Sequence, residues 1–486
     1  MGLKVFLTDF RSFTEEKTIR SDVDFIHFQN NVLVEKYYSF DQLFQLVKDN
    51  GVNIESLEND FYYVEIGNVT KNGDVEPVRL NFNEREKEDE DYYKKIKKGD
   101  IIRVQKGDIL IAKVRPNLKK YVFIDEDNES YFYTSAFIHL RPKKMNKILY
   151  YSLRSIFYDN LIALSRQGKG YPTLKEDDIV CLKFDKELIN KLSQKQDYLN
   201  DQIQMIEARI RELKKSIKLP NRIINGVFAR EFGFDMEKFE ELKKIKNFYL
   251  DLSCFGNNKD LRQSVKFHKE AGYFVLNQLN RVTNKKIKDF ISEPIVLGAS
   301  ISPKDYDESG RYFYISMASI KNWQFESENA KLVSDGYAEQ NQSRTVAKND
   351  ILLARSGEGT IGKVAIIEDE KLDGIFCDFV MRIRFKNYNP LFAYYYFRTN
   401  YFQYLIEINK KGLGNNTNIF PSQVQEFPII DVPLDVQQRI VDQVKEELNM
   451  QEKIEKEIED QRNKIAEIIK NVIYKEGNQE QTSIVG

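Results

Sequence analysis

The chain has 486 residues, 41% of them hydrophobic and 13% aromatic, which is too much for one ordinary core and predicts two or three domains. Its 74 basic and 75 acidic residues leave a formal net charge of -1. No global field therefore draws it to nucleic acid, and any such contact must rest on local basic patches or on basic partners.

Three cysteines, Cys181, Cys254 and Cys377, are too few and too scattered for a disulfide framework or a cysteine-rich zinc site. The opening MGLKVFLTDF lacks a signal-peptide core, and no run approaches ~18 apolar residues. The sequence thus predicts a soluble protein of the reducing cytoplasm, with no membrane partner.

The first head is expected at 1–184. Short β-rich runs occur at 61–66 (FYYVEI), 101–104, 109–114 (ILIAKV), 121–124 and 137–140. A charged stretch, 83–98, is expected as an exposed loop or helix, and 147–164 reads as a helix.

A long charged helix follows, from about 185 to 219. Leu199, Ile203, Ile206, Ile210, Leu213 and Ile217 alternate steps of four and three, the seam of a heptad pattern. Pro220 is expected to end it, because proline lacks an amide hydrogen and disfavours helix in the residue before it. A short connection should run on to about 234, so that 185–234 forms a central spacer.

A second head is expected at 235–435, and it replays the first. FYYVEIGNVTKNG (61–73) is echoed by YFYISMASIKNWQ (312–324), KGDILIAKVRPN (106–117) by KNDILLARSGEG (348–359), and SAFIHLRP (135–142) by DFVMRIRF (378–385). A helical run, 391–408, and a glycine-containing loop come next, as they do in the first head. A second rod is predicted at 436–475, its seam running Ile454, Ile458, Gln461, Ile465, Ile468 and Val472. Residues 476–486 are expected as a flexible tail. Each rod could run ~45 Å at 1.5 Å per residue, and each is the obvious partner for the other. The expected fold is α+β: two duplicated α/β heads joined by two long antiparallel coiled-coil helices, with a pseudo-two-fold internal repeat.

Two pairs of loops carry the candidate chemistry. After the D-I-L-(I/L)-A run, the first head has Lys113, Arg115, Asn117, Lys119 and Lys120, and the second has Arg355, Ser356, Thr360 and Lys363. Arginine and lysine can contact phosphates or guanine edges, and asparagine can read adenine; a solvated basic turn is the plainer alternative. The second pair comprises Gln167, Lys169, Tyr171 and Thr173, and Asn415, Asn416, Thr417 and Asn418. Their amides and hydroxyls would suit base edges, although asparagine and glycine also build ordinary turns.

The stretch GEGTIGK, 357–363, resembles a phosphate-binding loop only on paper. Val364 stands where such a loop needs Ser or Thr, and VAII follows where a helix should cradle phosphate. The three histidines, His27, His139 and His268, have no metal-ligand spacing. No G-x-S-x-G elbow and no N-P-P-Y motif occurs, so neither a catalytic nor a metal site is expected.

Together the repeat and the rods resemble one family, the specificity subunits of type I restriction-modification systems. The resemblance rests on 108–112 before KVRPN, on 350–354 before RSGEGTIGKV, and on the exit FPIIDVPLDVQQRIVDQV at 427–444. The first exit, LKFDKELINKLSQK at 182–195, departs from the family's proline and Q-Q-x-I pattern. The resemblance implies that each head is a target recognition domain reading half of a split double-stranded DNA sequence, with the rods as a ruler. It implies two methyltransferase subunits bringing S-adenosylmethionine and the adenine-methylating chemistry. Restriction subunits would bring ATP and magnesium, and this chain would hold no cofactor and be no enzyme. The other readings are a non-DNA coiled-coil scaffold with two ligand-binding heads, a nuclease or nucleotide hydrolase using the GEGTIGK loop, and a specificity chain of another modification or phage-defence complex.

Overall fold

A computed structural model describes residues 36–48, 52, 57–84, 89–167, 170–256, 264–357, 359–412 and 416–474. The chain divides into two compact units, 1–215 with 456–486, and 216–455.

In the first unit the central strand is Ile109–Ala112, all four of whose residues are buried. A strand covered on both faces reads as a continuous apolar run, and alternate side chains then serve different cores. Ile109 and Ile111 face a helical layer with Leu149, Leu153 and Leu161. Leu110 and Ala112 face a second sheet with Val64 and Tyr133. The central sheet has the order Phe44–Leu46, Phe137–Pro142, Ile109–Ala112, Tyr121–Phe123, antiparallel throughout. The second sheet sets Val78–Asn81, Asp60–Val64, Phe132–Tyr133 and Ile102–Arg103 side by side, with Tyr63 and Phe132 in parallel register.

The second unit rebuilds this plan. Its central sheet has the order Val296–Leu297, Val380–Ile383, Ile351–Ala354, Val364–Ile366. Ile351 pairs with Ile383 and Ala354 with Val380, as Ile109 pairs with Leu140 and Ala112 with Phe137. A parallel pair recurs between Tyr314 and Ile375. Here the second sheet has three strands, and an isolated bridge from Thr345 to Ile375 stands where the first unit has a fourth.

Several helical expectations change. The run at 147–164 is two helices, Asn146–Arg154 and Tyr158–Ala163, and the run at 391–408 is Pro390–Phe397 and Asn400–Asn409. The second break is a helix start: the Thr399 side chain accepts the Phe402 amide, satisfying one of the free donors there. Within 83–98 the helix is Glu90–Lys97, and it buries Tyr93 and Ile96.

The first rod is also two helices, Lys186–Gln194 and Gln196–Ser216, with Lys195 between them at φ -104° and ψ 20°. Asp185 caps its start by accepting from the amides of Glu187 and Leu188. The supposed connection after Pro220 is a third helix, Pro220–Phe232. Proline does end what precedes it, yet at the first helical position its missing amide costs nothing and its fixed φ suits the helix. Gly233, at φ 67°, closes that helix in the left-handed conformation glycine adopts freely.

The second rod is one helix, Leu434–Tyr474. In the first unit it runs antiparallel to the first rod: Lys191 donates to the Ile473 carbonyl at 3.2 Å, and Arg209 donates to Glu457 at 2.8 Å. Leu199, Ile203, Ile210 and Leu213 are buried there, Ile206 is half-buried, and Ile217 lies just past the helix end. On the long helix Ile458 and Ile465 are buried and Ile454 is half-buried. Further along, Ile469 and Ile473 are fully covered while Ile468 and Val472 only flank the core. That end touches both its partner helix and the head, which requires a wider apolar stripe than a coiled-coil seam. In the second unit Ile440, Val441 and Val444 pack into one core with Ile224, Val227 and Phe228 of the third helix.

Candidate nucleic-acid interface

Each central strand begins with a buried aspartate that fixes the loops around it. Asp108 accepts the Gln105 amide at 2.9 Å and a fork from Arg141 at 2.8 and 2.9 Å, and it lies 2.7 Å from His139 Nε2. Burial pushes its pKa up, but the bonds from Arg141, His139 and the Gln105 amide outweigh that and bring it down to about 2. Asp350 accepts the Ala347 amide at 2.8 Å and an Arg384 fork at 2.7 Å on both oxygens. The D of D-I-L-(I/L)-A is therefore a brace in both heads.

At the far end of the strand, two sequence-remote loops are tied together. In the first unit the Arg115 amide donates to the Pro172 carbonyl at 2.9 Å, and the Leu174 amide donates to the Lys113 carbonyl at 2.8 Å. In the second the Gly357 amide donates to Thr417 at 3.2 Å, and the Ile419 amide donates to Arg355 at 2.9 Å. Isolated bridges, Val114 to Thr173 and Ser356 to Asn418, mark the same crossing. Both partner loops are hairpins, closed by Arg166 with Thr173 and by Lys411 with Asn418. The candidate loops thus meet in pairs, once in each unit.

The side chains at the two clamps differ. In the first unit Arg115 is exposed, sits at φ 52°, and holds its guanidinium 5.2 Å from the Tyr171 ring, which is 45% exposed. Asn117 is exposed beside it. The three lysines are tied inward. Lys113 donates to the Ser135 carbonyl and pairs with Glu176 at 2.9 Å. Lys120 donates to the Ile66 carbonyl. Lys119 donates to the Arg154 carbonyl and lies 3.9 Å from the Tyr158 ring, and burial, followed by the Arg154 charge, lowers its pKa. Thr173 is half-buried in the bridge, Gln167 lies in the hairpin, and Lys169 falls outside the described residues.

In the second unit Arg355 is half-buried. It donates to the Asp378 carbonyl at 2.9 Å and to Asn418 at 3.4 Å, close to the rings of Phe379 and Phe420. Ser356 and Thr417 are buried, and Thr360 donates to the Ser356 carbonyl at 2.6 Å. Lys363 is half-buried where the next strand starts, Asn416 is exposed, and Asn415 lies outside the described residues. The GEGTIGK turn closes with Gly357 at φ 85° and Gly362 at φ 84°, then enters the strand Val364–Ile366. No helix follows to cradle phosphate, so the turn is a hairpin. Sequence reasoning passed over Phe379 and Phe420, two exposed aromatics flanking this clamp. Their signal was faint: Phe379 lies at the start of the run DFVMRIRF and reads as part of its strand, and Phe420 is a lone aromatic after a polar loop.

Among the described residues no group of His, Cys, Asp or Glu could hold a metal ion, and no helix is long and apolar enough to cross a membrane. His139 belongs to the Asp108 brace, His268 lies 3.3 Å from the Tyr273 hydroxyl, and His27 falls outside the described residues.

Residues 280–461 match the family model described as Type I restriction modification DNA specificity domain. Those residues, fewer than half of the chain, are similar to the specificity domains of type I restriction-modification systems. Among curated proteins no match is found. Solved chains similar to this one include these three. One comes from a study of complex assembly and conformational transition of the type I R-M system, at 14% identity, 90% of this chain, 97% of that chain and TM-score 0.44. The HsdS subunit from Thermoanaerobacter tengcongensis is 13% identical over 90% and 95%, with TM-score 0.36. The type I S subunit from M. genitalium is 14% identical over 89% and 95%, with TM-score 0.41.

Proposed function

We propose that the two loop clamps are DNA-reading edges, and that the recognition domains 1–184 and 235–435 each read one half of a split duplex target. The observation that carries this reading is the duplication of the clamp: the same two loops, tied by the same backbone bonds, end the same strand in both units. In the first head Arg115, steadied on Tyr171, offers the fork that suits guanine N7 and O6. In the second, the exposed Asn416 offers an amide of the kind that suits adenine.

The rods 185–234 and 436–475 set the spacing between half-sites. Two methyltransferase subunits clamp the duplex and bring S-adenosylmethionine, and restriction subunits bring ATP and magnesium. The chain itself does no chemistry and works in the cytoplasm, where the DNA is. A net charge of -1 suits this division of labour, because the partner subunits can share the neutralisation of phosphates. Exchanging residues 1–184 for the corresponding head of another specificity subunit tests the reading: one half of the methylated motif should change and the other should stay. A swap that changes both halves, or neither, contradicts it.

A further inference from the structure

The two heads share a tyrosine–tyrosine–arginine pattern whose arginines are treated differently. In the first unit Arg154, beside Tyr150 and Tyr151, is bonded into the backbone: Nη1 donates to the Lys119 carbonyl at 2.7 Å and Nη2 to the Lys71 carbonyl at 2.6 Å. In the second unit Arg398, beside Tyr394 and Tyr395, has only the Tyr394 hydroxyl, 2.9 Å from Nη1. Arg398 is 7% exposed, its Nε has no hydrogen-bond partner, and among the described residues no carboxylate pairs with it. Its remaining neighbours are rings, Trp323 at 5.5 Å and Tyr394 at 5.2 Å. A buried guanidinium without a counter-ion is costly, and cation–π contact offsets only part of that cost.

Arg398 lines a cavity of about 550 Å³, together with Trp323, Phe325, Tyr394, Tyr395 and Lys445. That size and that mixture of rings with a few fixed polar groups suit a small organic ligand. The charge at Arg398 calls for an oxyanion, and a planar guanidinium fork matches a carboxylate. Glu368, Asp369 and Glu452 line the same cavity against Arg398 and Lys445, three acids to two bases. That surplus of negative charge disfavours a dianion such as phosphate.

We propose that this cavity binds a small aromatic monocarboxylate, its carboxylate on the Arg398 guanidinium and its ring against Trp323, Phe325 and Tyr395. The site is separate from the loop clamp and does not depend on the DNA-reading role proposed above.

Trp323 is the only tryptophan in the chain, so intrinsic fluorescence reads this cavity directly. The full chain is titrated with benzoate at constant ionic strength, with inorganic phosphate and chloride as comparison anions. Benzoate should change the emission saturably, phosphate should bind more weakly, and Arg398→Gln should weaken benzoate binding by at least roughly tenfold, the effect of losing one charged hydrogen-bond partner. If Arg398→Gln does not fold, Arg398→Lys keeps the charge without the fork and should also bind more weakly. A benzoate response no different from that of chloride, equal binding by either arginine variant, or tighter binding of phosphate overturns the assignment.

Discussion

Arg462, on the long C-terminal helix, donates from Nη2 to Asp74 Oδ2 at 2.5 Å, across 388 residues of sequence. Lys214, on the first rod, donates to the other oxygen of the same carboxylate at 2.5 Å. Asp74 lies in the turn where the Thr70 amide donates to the Asp74 carbonyl and the Gly73 amide donates to the Thr70 carbonyl. One carboxylate therefore fastens a head turn to both rod helices of the first unit.

Asp74→Asn should destabilise the first unit. Burial raises the pKa of Asp74, and the bonds and charges of Lys214 and Arg462 more than reverse this, so the folded value lies below the usual one. A depressed carboxylate stabilises fully above its unfolded pKa, and that contribution disappears as pH falls through the folded value. Because Asp74 is about one-third exposed, solvent screens much of the effect, and about 1 kcal/mol is expected at pH 7. Urea unfolding of both proteins from pH 7 to pH 3 should show two stabilities converging as the acid range is reached. A constant gap across that range contradicts the assignment.

Asp108→Ala should cost more, about 3–5 kcal/mol, because it leaves Arg141 and His139 facing a buried gap. The side chain of Asp108 is almost fully covered, and its pKa of about 2 corresponds to a stabilisation on the order of 2 kcal/mol from ionisation alone. That part is complete above about pH 4 and fades as pH falls towards 2. Guanidinium unfolding midpoints against pH would check both statements. A variant as stable as the parent at pH 7 refutes the brace.

Arg115→Ala should weaken binding to the cognate duplex by about 1–3 kcal/mol and relax the choice of base at one position of one half-site. Lys120→Ala should leave base preference unchanged, since its ammonium bonds the Ile66 carbonyl. Binding titrations on single-position variants of the target separate the two. Equal loss on every sequence from Arg115→Ala would make it a phosphate contact instead.

Removing one heptad from each rod should shorten the unread gap between half-sites and leave the bases of each half unchanged. The shortening expected from seven residues at 1.5 Å each is about 10 Å, or roughly three base pairs. Sequencing of methylated adenines in cells carrying the shortened chain reads the gap directly. An unchanged gap sinks the ruler.

The sequence made the core of each head legible because one four-residue run serves two layers. ILIA and ILLA are apolar at every position, and the structure sends alternate residues of each to different cores. The loops stood out as candidates because their places repeat. What could not be read was that they touch, since the ties are amide to carbonyl and carry no residue preference. Charge alone likewise does not tell which cations of the first clamp are bonded within the head. Lys113, Lys119 and Lys120 look alike in sequence, but a long side chain goes where an acceptor lies, and each found one within the head. Pro220 ends one helix and also starts another, so a stop signal alone does not distinguish a connection from the helix that follows it. The break at Lys195 had no signal, because lysine and glutamine both favour helix and tertiary packing decided there.

The most direct test of the account is a map of methylated adenines in cells that carry the partner subunits, with and without this gene. The account predicts that one motif, two short half-sites around a fixed unread gap, disappears with the gene and returns when it is restored. Survival of every methylated motif in cells where the partner methyltransferase is active would contradict the specificity role.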